Sequence, residues 1–585
     1  SKKQEDKQLK IFNKLLKKHN IEENTVRAFT GSGFGFKEMN EKHNYMLVYP
    51  EHILYKADTE KEIEKIVEKH IKNKEIVESL RIQKDFIAER FFDVYGDVSF
   101  FNKQTRLTLR NSGIIDPESI EDYIFYDGFK AIAKVLSENT PEDVIKEVKK
   151  SGLRGRGGGG FSTGIKWENT RIEKSDQKYI ICNADEGDPG AFMDRSALEG
   201  DPFSIIEGMM IGAYAIGASK GYFYIRAEYP LAIDRIEKAI TRCHEMNLLG
   251  ENILGSNFNF DLEVRLGAGA FVCGEETALM HSIEGKRGQP RIKPPYPSKS
   301  GLWGKPTAIN NVETWANIPV IFLYGSDWFA SIGTEDSTGT KVFALAGDVN
   351  NTGLIEVPMG TTLREIIYDI GGGIPGDVPL KAVQTGGPSG GCLTADLLDT
   401  IVDFKTLAQA GSIMGSGGMI VLDQNSCMVD VARYFLEFSK DESCGKCTPC
   451  REGNVRMLEI LDRIIEGKGT LEDLDKLERL AKVIKKSSLC GLGQTSPNPV
   501  LSNLENYRKE FEAHVVDKKC PAKKCTQLIT YEINDKCIGC TACARVCPVN
   551  CIAGKPKELH VIDQKACIKC GECFSICKFD AVEKN

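Results

Sequence analysis

The chain has 585 residues, 41% of them hydrophobic and 27% charged, with a formal net charge of −7. That length suits roughly three to five domains of ordinary globular composition. The charge gives no sign of nucleic-acid binding, and no run of about 18 apolar residues marks a membrane span. The N-terminus carries no apolar signal segment, so the twenty cysteines point to clusters and metals in a reducing compartment rather than disulfides. A cytoplasmic location is expected.

Residues 1–75 form the first predicted domain. Tyr45-Met46-Leu47-Val48-Tyr49 has the pattern of a strand. Asp58 to Lys72 has that of a helix capped by Thr59, with apolar Ile63, Ile66, Val67 and Ile71 on one face. Gly31-Ser32-Gly33-Phe34-Gly35 is expected to be a loop. Residues 76–340 are predicted as a nucleotide-binding α/β domain, its first 60 residues being a connecting segment.

Within that domain the run Gly152-Leu153-Arg154-Gly155-Arg156-Gly157-Gly158-Gly159-Gly160-Phe161 is richer in glycine than packing requires. Such a loop lets backbone N–H groups approach phosphate, and its two arginines add positive charge. A flexible turn is the alternative, because no clear strand ends just before the run. Tyr179-Ile180-Ile181-Cys182 has the pattern of a strand. It leads into Asn183-Ala184-Asp185-Glu186-Gly187-Asp188-Pro189-Gly190, polar groups placed to meet a ligand. Two further blocks follow, Gly267 to Thr277 and Asn310-Asn311-Val312-Glu313-Thr314.

Residues 341–425 are predicted as short strands around one helix (Leu363 to Ile370), and residues 426–515 as a charged helix bundle. The bundle holds Cys444-Gly445-Lys446-Cys447-Thr448-Pro449-Cys450, with Cys490 as the obvious fourth thiolate. A [4Fe–4S] cluster is expected there, structural zinc being the alternative.

In residues 516–585 two runs share the spacing C-x2-C-x2-C-x3-C: Cys537, Cys540, Cys543, Cys547 and Cys567, Cys570, Cys573, Cys577. This is the spacing of a two-cluster ferredoxin, in which each run lends its fourth cysteine to the other cluster. One cluster is thus assigned to Cys537, Cys540, Cys543 and Cys577, and the other to Cys567, Cys570, Cys573 and Cys547. Zinc or disulfides fit two such tandem runs poorly. The second run lacks the proline that follows Cys547.

Three clusters use twelve of the twenty cysteines. Cys182, Cys243, Cys273, Cys392 and Cys427 sit among apolar or glycine-rich neighbours and are expected to be buried structural thiols. His514, Cys520, Cys525 and Cys551 remain around the junction before the ferredoxin module. They are assigned as a Cys3His zinc site that tethers a hinge. Free thiols or a [2Fe–2S] centre are the alternatives.

Between about residue 90 and residue 515, the glycine run, the Asn183, Gly267 and Asn310 blocks and the cysteine motif occur in one order. In this the chain resembles the NADH- and FMN-binding subunit of respiratory complex I, NAD-dependent hydrogenases and NAD-dependent formate dehydrogenases. The resemblance implies an unusual Rossmann-like FMN domain, then a ubiquitin-like β-grasp domain and the cluster-bearing bundle, and the cysteine spacing adds the 2[4Fe–4S] ferredoxin domain.

Carried over motif by motif, it places FMN against Gly155, Arg156, Gly157, Gly158, Lys166, Asn183, Asp185, Glu186, Gly274, Glu275, Asn310, Asn311 and Thr314, and Asp188 near the nicotinamide ribose. NADH falls to Phe161, Glu276, Lys293 and Tyr296, the tyrosine ring stacking on adenine. Glu186 and Glu276 are the candidate catalytic carboxylates. The protein's task in such chemistry is alignment and electrostatics.

Respiratory members usually carry Glu where this chain has Asp188 and Tyr where it has Phe271, which favours a non-respiratory enzyme. The ferredoxin module favours a NAD-dependent, electron-bifurcating [FeFe]-hydrogenase complex of anaerobes. Formate dehydrogenase, an aldehyde oxidoreductase or a non-catalytic electron wire are the alternatives. The expected partners are a hydrogenase-type catalytic subunit, a small thioredoxin-like [2Fe–2S] subunit and soluble ferredoxin. NAD is favoured over NADP.

Residues 21–75 faintly resemble the thioredoxin-like [2Fe–2S] domain of hydrogenase relatives, through Thr30-Gly31-Ser32-Gly33 and Tyr49-Pro50-Glu51-His52 to His70. No cysteine precedes Cys182, so this degenerate domain can hold no cluster.

Overall fold

The computed structural model describes residues 2–19, 21, 28–31, 45–48, 53–81, 100 and 103–585. These fall into two units, 1–104 and 105–585. The first contains α1 (Lys2–Lys18), β1 (Ala28–Gly31), β2 (Tyr45–Val48), β3 (Ile53–Lys56) and α2 (Glu60–Ile66). Its strands form an antiparallel sheet in the order β1-β2-β3. The Thr59 cap is present as a reciprocal box with Glu62. Ile63, Ile66, Val67 and Ile71 pack into the core with Tyr55. Ser32 to Gly35 and Tyr49 to His52 lie outside the described residues.

The second unit begins with α3 (Ile120–Phe125), α4 (Lys130–Glu138) and α5 (Pro141–Lys150). The first two stand where a connecting segment is expected from sequence. They pack instead, because buried Glu207 accepts the Tyr123 hydroxyl at 2.5 Å and the Ile132 N–H at 3.0 Å. The α/β layer follows, with α6 (Thr163–Arg171), β4 (Tyr179–Ala184), α7 (Met193–Gly200), α8 (Pro202–Ile216), β5 (Lys220–Arg226), α9 (Pro230–Glu245), β6 (Asp261–Gly267), α10 (Glu276–Ile283), β7 (Thr307–Asn311) and α11 (Val312–Tyr324).

The sheet order is β6-β5-β4-β7, every pair parallel. Chain direction across the sheet reverses between β4 and β7. In such sheets the crevice beyond the carboxyl ends at that point takes the ligand. The apolar helices α8 and α11 are buried almost all round. Gly208 lets them close, since a Cβ there would lie 2.1 Å from the Trp315 carbonyl oxygen.

A mixed five-stranded sheet comes next, ordered β11-β10-β12-β8-β9: β8 (Thr340–Gly347), β9 (Gly353–Pro358), β10 (Leu380–Thr385), β11 (Gly391–Thr394) and β12 (Gly418–Asp423). Four helices form the bundle: α12 (Met428–Asp441), α13 (Thr448–Ile465), α14 (Leu471–Ser487) and α15 (Asn498–Asn506). The C-terminal module holds β13 (Tyr531–Ile533), α16 (Ala542–Val546), β14 (Ile552–Ala553), β15 (Val561–Ile562), α17 (Glu572–Ile576) and β16 (Val582–Lys584). Pairing of β13 with β16 and β14 with β15 closes it into two like halves. Among the described residues no helix is long and apolar enough to cross a membrane.

Candidate functional site

A cavity of about 470 Å3 opens at the β4–β7 reversal. Its floor is the glycine run. Gly158 (φ 111°) pairs with Gly415, and Gly160 (φ 58°) comes so close to Phe404 that a Cβ would lie 2.7 Å from the ring. Only glycine meets both the conformation and the approach. Gly157 is held equally tightly against Asn311, where a Cβ would sit at 3.0 Å. Ser162 caps the helix that follows.

Of the predicted flavin and nucleotide residues, Gly155, Gly157, Gly158, Phe161, Lys166, Asn183, Asp185, Glu186, Asp188, Gly274, Glu275, Glu276, Lys293, Asn310 and Asn311 all line this cavity. Three do not. Arg156 is buried behind the loop, its guanidinium donating to the carbonyls of Thr340 (3.0 Å), Thr338 (2.6 Å) and Arg154 (2.9 Å). It staples the loop to β8 rather than presenting charge to a phosphate, and burial lowers its pKa to about 10. The Thr314 hydroxyl is taken up by the Arg156 N–H at 2.9 Å. Tyr296 stands outside the lining and is 60% exposed, following two cis prolines.

The cations and carboxylates are fixed by one another. Lys293 Nζ lies 2.7 Å from Glu276 and 3.0 Å from Glu275. Glu275 in turn caps α10 by accepting the Thr277 and Ala278 N–H groups at 2.9 Å. Lys166 donates to the Ile309 carbonyl at 2.9 Å and stands 3.9 Å from Glu276; burial lowers its pKa. Asn183 donates to the Gly274 carbonyl at 2.9 Å.

Glu186 serves the chain before any ligand. It accepts the Asp194 and Arg195 N–H groups at 3.0 and 3.1 Å, capping α7, and burial raises its pKa. Asp185 differs: it is buried, neither carboxylate oxygen has a hydrogen-bond partner, and burial lifts its pKa to about 7. Burial likewise lifts Asp188 to about 6, while its contact with the Ser416 hydroxyl opposes the rise. An orphaned acid facing a glycine-lined cavity fits a polar ligand with donors of its own.

The sequence pattern did not reveal one wall. Gly386, Ser389, Ile413, Gly415 and Ser416, from loops of the five-stranded sheet, line the cavity beside the glycine run, which they join at the Gly158–Gly415 pair. Glycine-rich turns at 386–391 and 415–418 were the available signal. Leu492 and Thr495 close the cavity from the bundle side.

Behind that side, Cys444, Cys447, Cys450 and Cys490 line one small cavity. Cys447 and Cys490 sit at helix starts, and Asn454 donates to Cys450 Sγ at 3.5 Å. Gly493 lets its helix approach Cys450, where a Cβ would lie 3.0 Å away. Val272 and Leu492 line both this cavity and the large one, so a single layer of side chains separates them. In the C-terminal module Cys537, Cys540, Cys543 and Cys577 line one cavity. Cys547, Cys567, Cys570 and Cys573 line the other, so the fourth cysteines are exchanged between runs.

The four ligands expected for zinc do not come together as a set. His514, Cys520 and Cys525 do come together, but the fourth member is Cys427, expected from sequence to be a structural thiol; all four are buried. Cys551 is elsewhere, 3.4 Å from Cys547 Sγ in the ferredoxin module. Cys427 Sγ lies 3.4 Å from His514 Nε2 and 3.6 Å from Cys525 Sγ, and Cys525 Sγ is 3.4 Å from Nε2. Tetrahedral zinc separates two thiolate sulfurs by about 3.8 Å and sulfur from imidazole nitrogen by about 3.5 Å. His514 Nδ1 donates to the Glu510 carbonyl at 2.7 Å, leaving Nε2 to face the thiols. Hydrogen bonds from Cys427 and Cys525 hold the Cys520 thiol below its usual range, and the Cys427 and Cys525 thiols are pushed up in turn.

A glycine-lined cavity at a parallel-sheet reversal, one layer from a four-cysteine cavity and followed by two more, defines a flavin- and iron–sulfur-dependent oxidoreductase component. Residues 148–320 match the Nuo51 FMN-binding domain and 342–393 the SLBB domain. Residues 430–514 match the iron–sulfur binding region of NADH-ubiquinone oxidoreductase F, and 536–581 a 4Fe-4S dicluster domain.

The chain is 62% identical over 484 residues to the NADP-reducing hydrogenase subunit HndC of Solidesulfovibrio fructosivorans, covering 83% of this chain and 98% of that one. It is 47% identical over 414 residues to the second F-type NADH-quinone oxidoreductase subunit of Rhizobium meliloti, covering 71% and 98%. A crystal structure of a NAD+-reducing [NiFe]-hydrogenase in the H2-reduced state superposes with a TM-score of 0.63 at 30% identity, over 87% of this chain and 81% of that one. The chain therefore belongs to the family of FMN- and iron–sulfur-containing F-type subunits of NADH-quinone oxidoreductases and their hydrogenase counterparts.

Proposed function

We propose that the chain is the NAD(H)-reacting subunit of a multi-subunit hydrogenase, passing electrons between a nicotinamide at the large cavity and three [4Fe–4S] clusters. The observation that carries this reading is the shared wall: Val272 and Leu492 touch both the flavin cavity and the Cys444–Cys490 cavity. Bound in the large cavity, FMN supplies the conversion between a two-electron hydride donor and one-electron acceptors.

The chain's own residues supply position. With FMN bound, backbone N–H groups of the glycine run would hold its phosphate, and Lys166 and the carboxylates at the end of β4 would meet its polar groups. Lys293, paired with Glu276, is placed for the dinucleotide's pyrophosphate. The exposed rings of Phe161 and Tyr296 offer flat faces to its bases.

The hydrogenase assignment is supported by the HndC relative and the hydrogenase structure. HndC is by name one subunit of a larger hydrogenase, so a hydrogen-activating subunit and a small [2Fe–2S] subunit are the proposed partners. Zinc at Cys427, His514, Cys520 and Cys525 is proposed as the staple between bundle and ferredoxin module. A closed tetrahedral site of this kind contributes directly to folding.

The test is anaerobic mixing of the purified chain with NADH or NADPH, following flavin absorbance and then cluster EPR signals. Bleaching of flavin followed by cluster reduction is expected, with NADH preferred. In Glu276→Gln or Lys293→Ala the Michaelis constant for the nicotinamide should rise about tenfold, for about 1.4 kcal/mol lost, at unchanged iron content. Wild-type constants in both variants would show that the nicotinamide does not bind there.

A further inference from the structure

Five thiols, not four, line the second cavity of the ferredoxin module: Cys547, Cys551, Cys567, Cys570 and Cys573. The first cavity holds four, with Ala581 beside them. The module is an internal repeat, and the repeat makes the difference informative. Cys551 follows Cys547 at the same spacing as Ala581 follows Cys577. Each then leads into a short strand, β14 after Cys551 and β16 after Ala581. One half of the repeat thus carries a methyl group where the other carries a sulfur.

That sulfur faces a ligand position. Cys551 Sγ lies 3.4 Å from Cys547 Sγ, and the Cys551 N–H donates to Cys547 Sγ at 3.3 Å. Cys551 is buried, and its carbonyl accepts the Asp563 N–H at 2.8 Å, which fixes its backbone beside the cavity. One rotamer step displaces a cysteine sulfur by about 3 Å, so either residue can supply the same iron without backbone movement.

We propose that Cys551 is a reserve ligand: the iron bound by Cys547 can pass to Cys551. This rests on reading the cavity as a [4Fe–4S] site. In the exchange an iron–sulfur bond to Cys551 forms and that to Cys547 breaks. The proton leaves the Cys551 sulfur and ends on Cys547. No electron moves, and the cluster keeps four thiolates. A ligand thiolate lost to oxidation leaves an iron open; in this cavity a second thiol within reach closes it, and in the other cavity none does.

The experiment compares full-length Cys547→Ala, Cys577→Ala and the double variant Cys547→Ala/Cys551→Ala by iron and sulfide content and by EPR of the reduced clusters. Cys547→Ala should keep wild-type iron with an altered EPR signal. Cys577→Ala and the double variant should each lose iron, about four atoms per chain where the cluster is lost whole. Equal loss in Cys547→Ala and Cys577→Ala overturns the reserve role alone. Full iron in all three overturns the cluster reading itself.

Should Cys547→Ala not accumulate, Cys551→Ala in the otherwise native chain decides. On peroxide treatment it should release iron to a chelator at least about twofold faster than wild type, for a lost closing step. Equal rates refute the proposal.

Discussion

Replacing Asp185 by Asn isolates the electrostatic cost built into the flavin cavity. Asp185 is 8% exposed, at the carboxyl end of β4, and neither of its oxygens has a hydrogen-bond partner. Burial raises its pKa to about 7, with the Arg226 guanidinium pulling the other way, against about 3.9 for an unfolded aspartate. The flavin-free protein therefore takes up a proton on folding between about pH 4 and pH 7. The folded pKa is the raised one, so the stabilisation is complete below about pH 4 and is lost as pH rises through about 7.

Between pH 5 and pH 8 the loss covers about two pKa units, or about 2–3 kcal/mol at 1.36 kcal/mol per unit. Asn keeps the shape and cannot ionise. Stability of flavin-free Asp185→Asn should thus fall by about 2–3 kcal/mol less than wild type over that interval. Glu186, Asp188 and Asp194, also raised by burial, remain in both proteins and cancel. Urea unfolding at the two pH values, followed by fluorescence of the buried, stacked Trp167 and Trp315, measures the difference. Parallel pH profiles for wild type and variant would refute the reasoning.

Three other outcomes follow from the geometry. Cys427→Ser should lose stoichiometric zinc while Cys551→Ser keeps it; elemental analysis showing the reverse would restore Cys551 to the site. Gly160→Ala forces a side chain into a left-handed conformation 2.7 Å from the Phe404 ring. At about 1–3 kcal/mol for such strain it should weaken FMN binding roughly 5- to 150-fold by fluorescence titration, and an unchanged dissociation constant would count against the loop. Cys447→Ser should lose about four iron atoms while NADH still bleaches the flavin. Unchanged iron and EPR would show that Cys447 is not a ligand.

What sequence made legible was local chemistry. Cysteine spacing within ten residues brought together the Cys444 motif and both ferredoxin runs, and the polar block after Tyr179–Cys182 does sit at a strand's carboxyl end. What it hid was set by long-range packing. Cys427 reaches His514 across 87 residues, and nothing near Cys427 advertises a ligand; an apolar neighbourhood looks the same around a core thiol and a buried metal site. Cys551 was drawn to the hinge by proximity in sequence, yet the β14–β15 pairing holds it inside the ferredoxin module. Arg156 carries the charge a phosphate loop leads one to expect. Its side chain turns away because the Thr338 and Thr340 carbonyls, at the start of β8, need donors.

That inversion of Arg156 explains why the flavin cavity needs two domains. The glycine run has no side chains with which to hold itself, so its conformation must be imposed from outside. Arg156 ties it to the start of β8, Arg154 lies 4.5 Å over the Phe404 ring, and Gly158 pairs with Gly415. Beneath these, Lys341 of β8 is fully buried 2.5 Å from Glu313 of α11, and Glu356 of β9 accepts the N–H groups of Leu107, Thr108 and Leu109 at 2.9 Å. A buried ion pair adds little net stability, because desolvation offsets attraction, but breaking one side of it costs about 3–5 kcal/mol. The pair joins β8 to α11, and so the five-stranded sheet to the α/β layer. The five-stranded sheet is thus the mould of the glycine loop, while the layer of Val272 and Leu492 between flavin cavity and cluster cavity is held locally, by the Phe271 N–H donating to Glu442 at 2.7 Å and Lys446 donating to the Pro290 carbonyl at 2.6 Å.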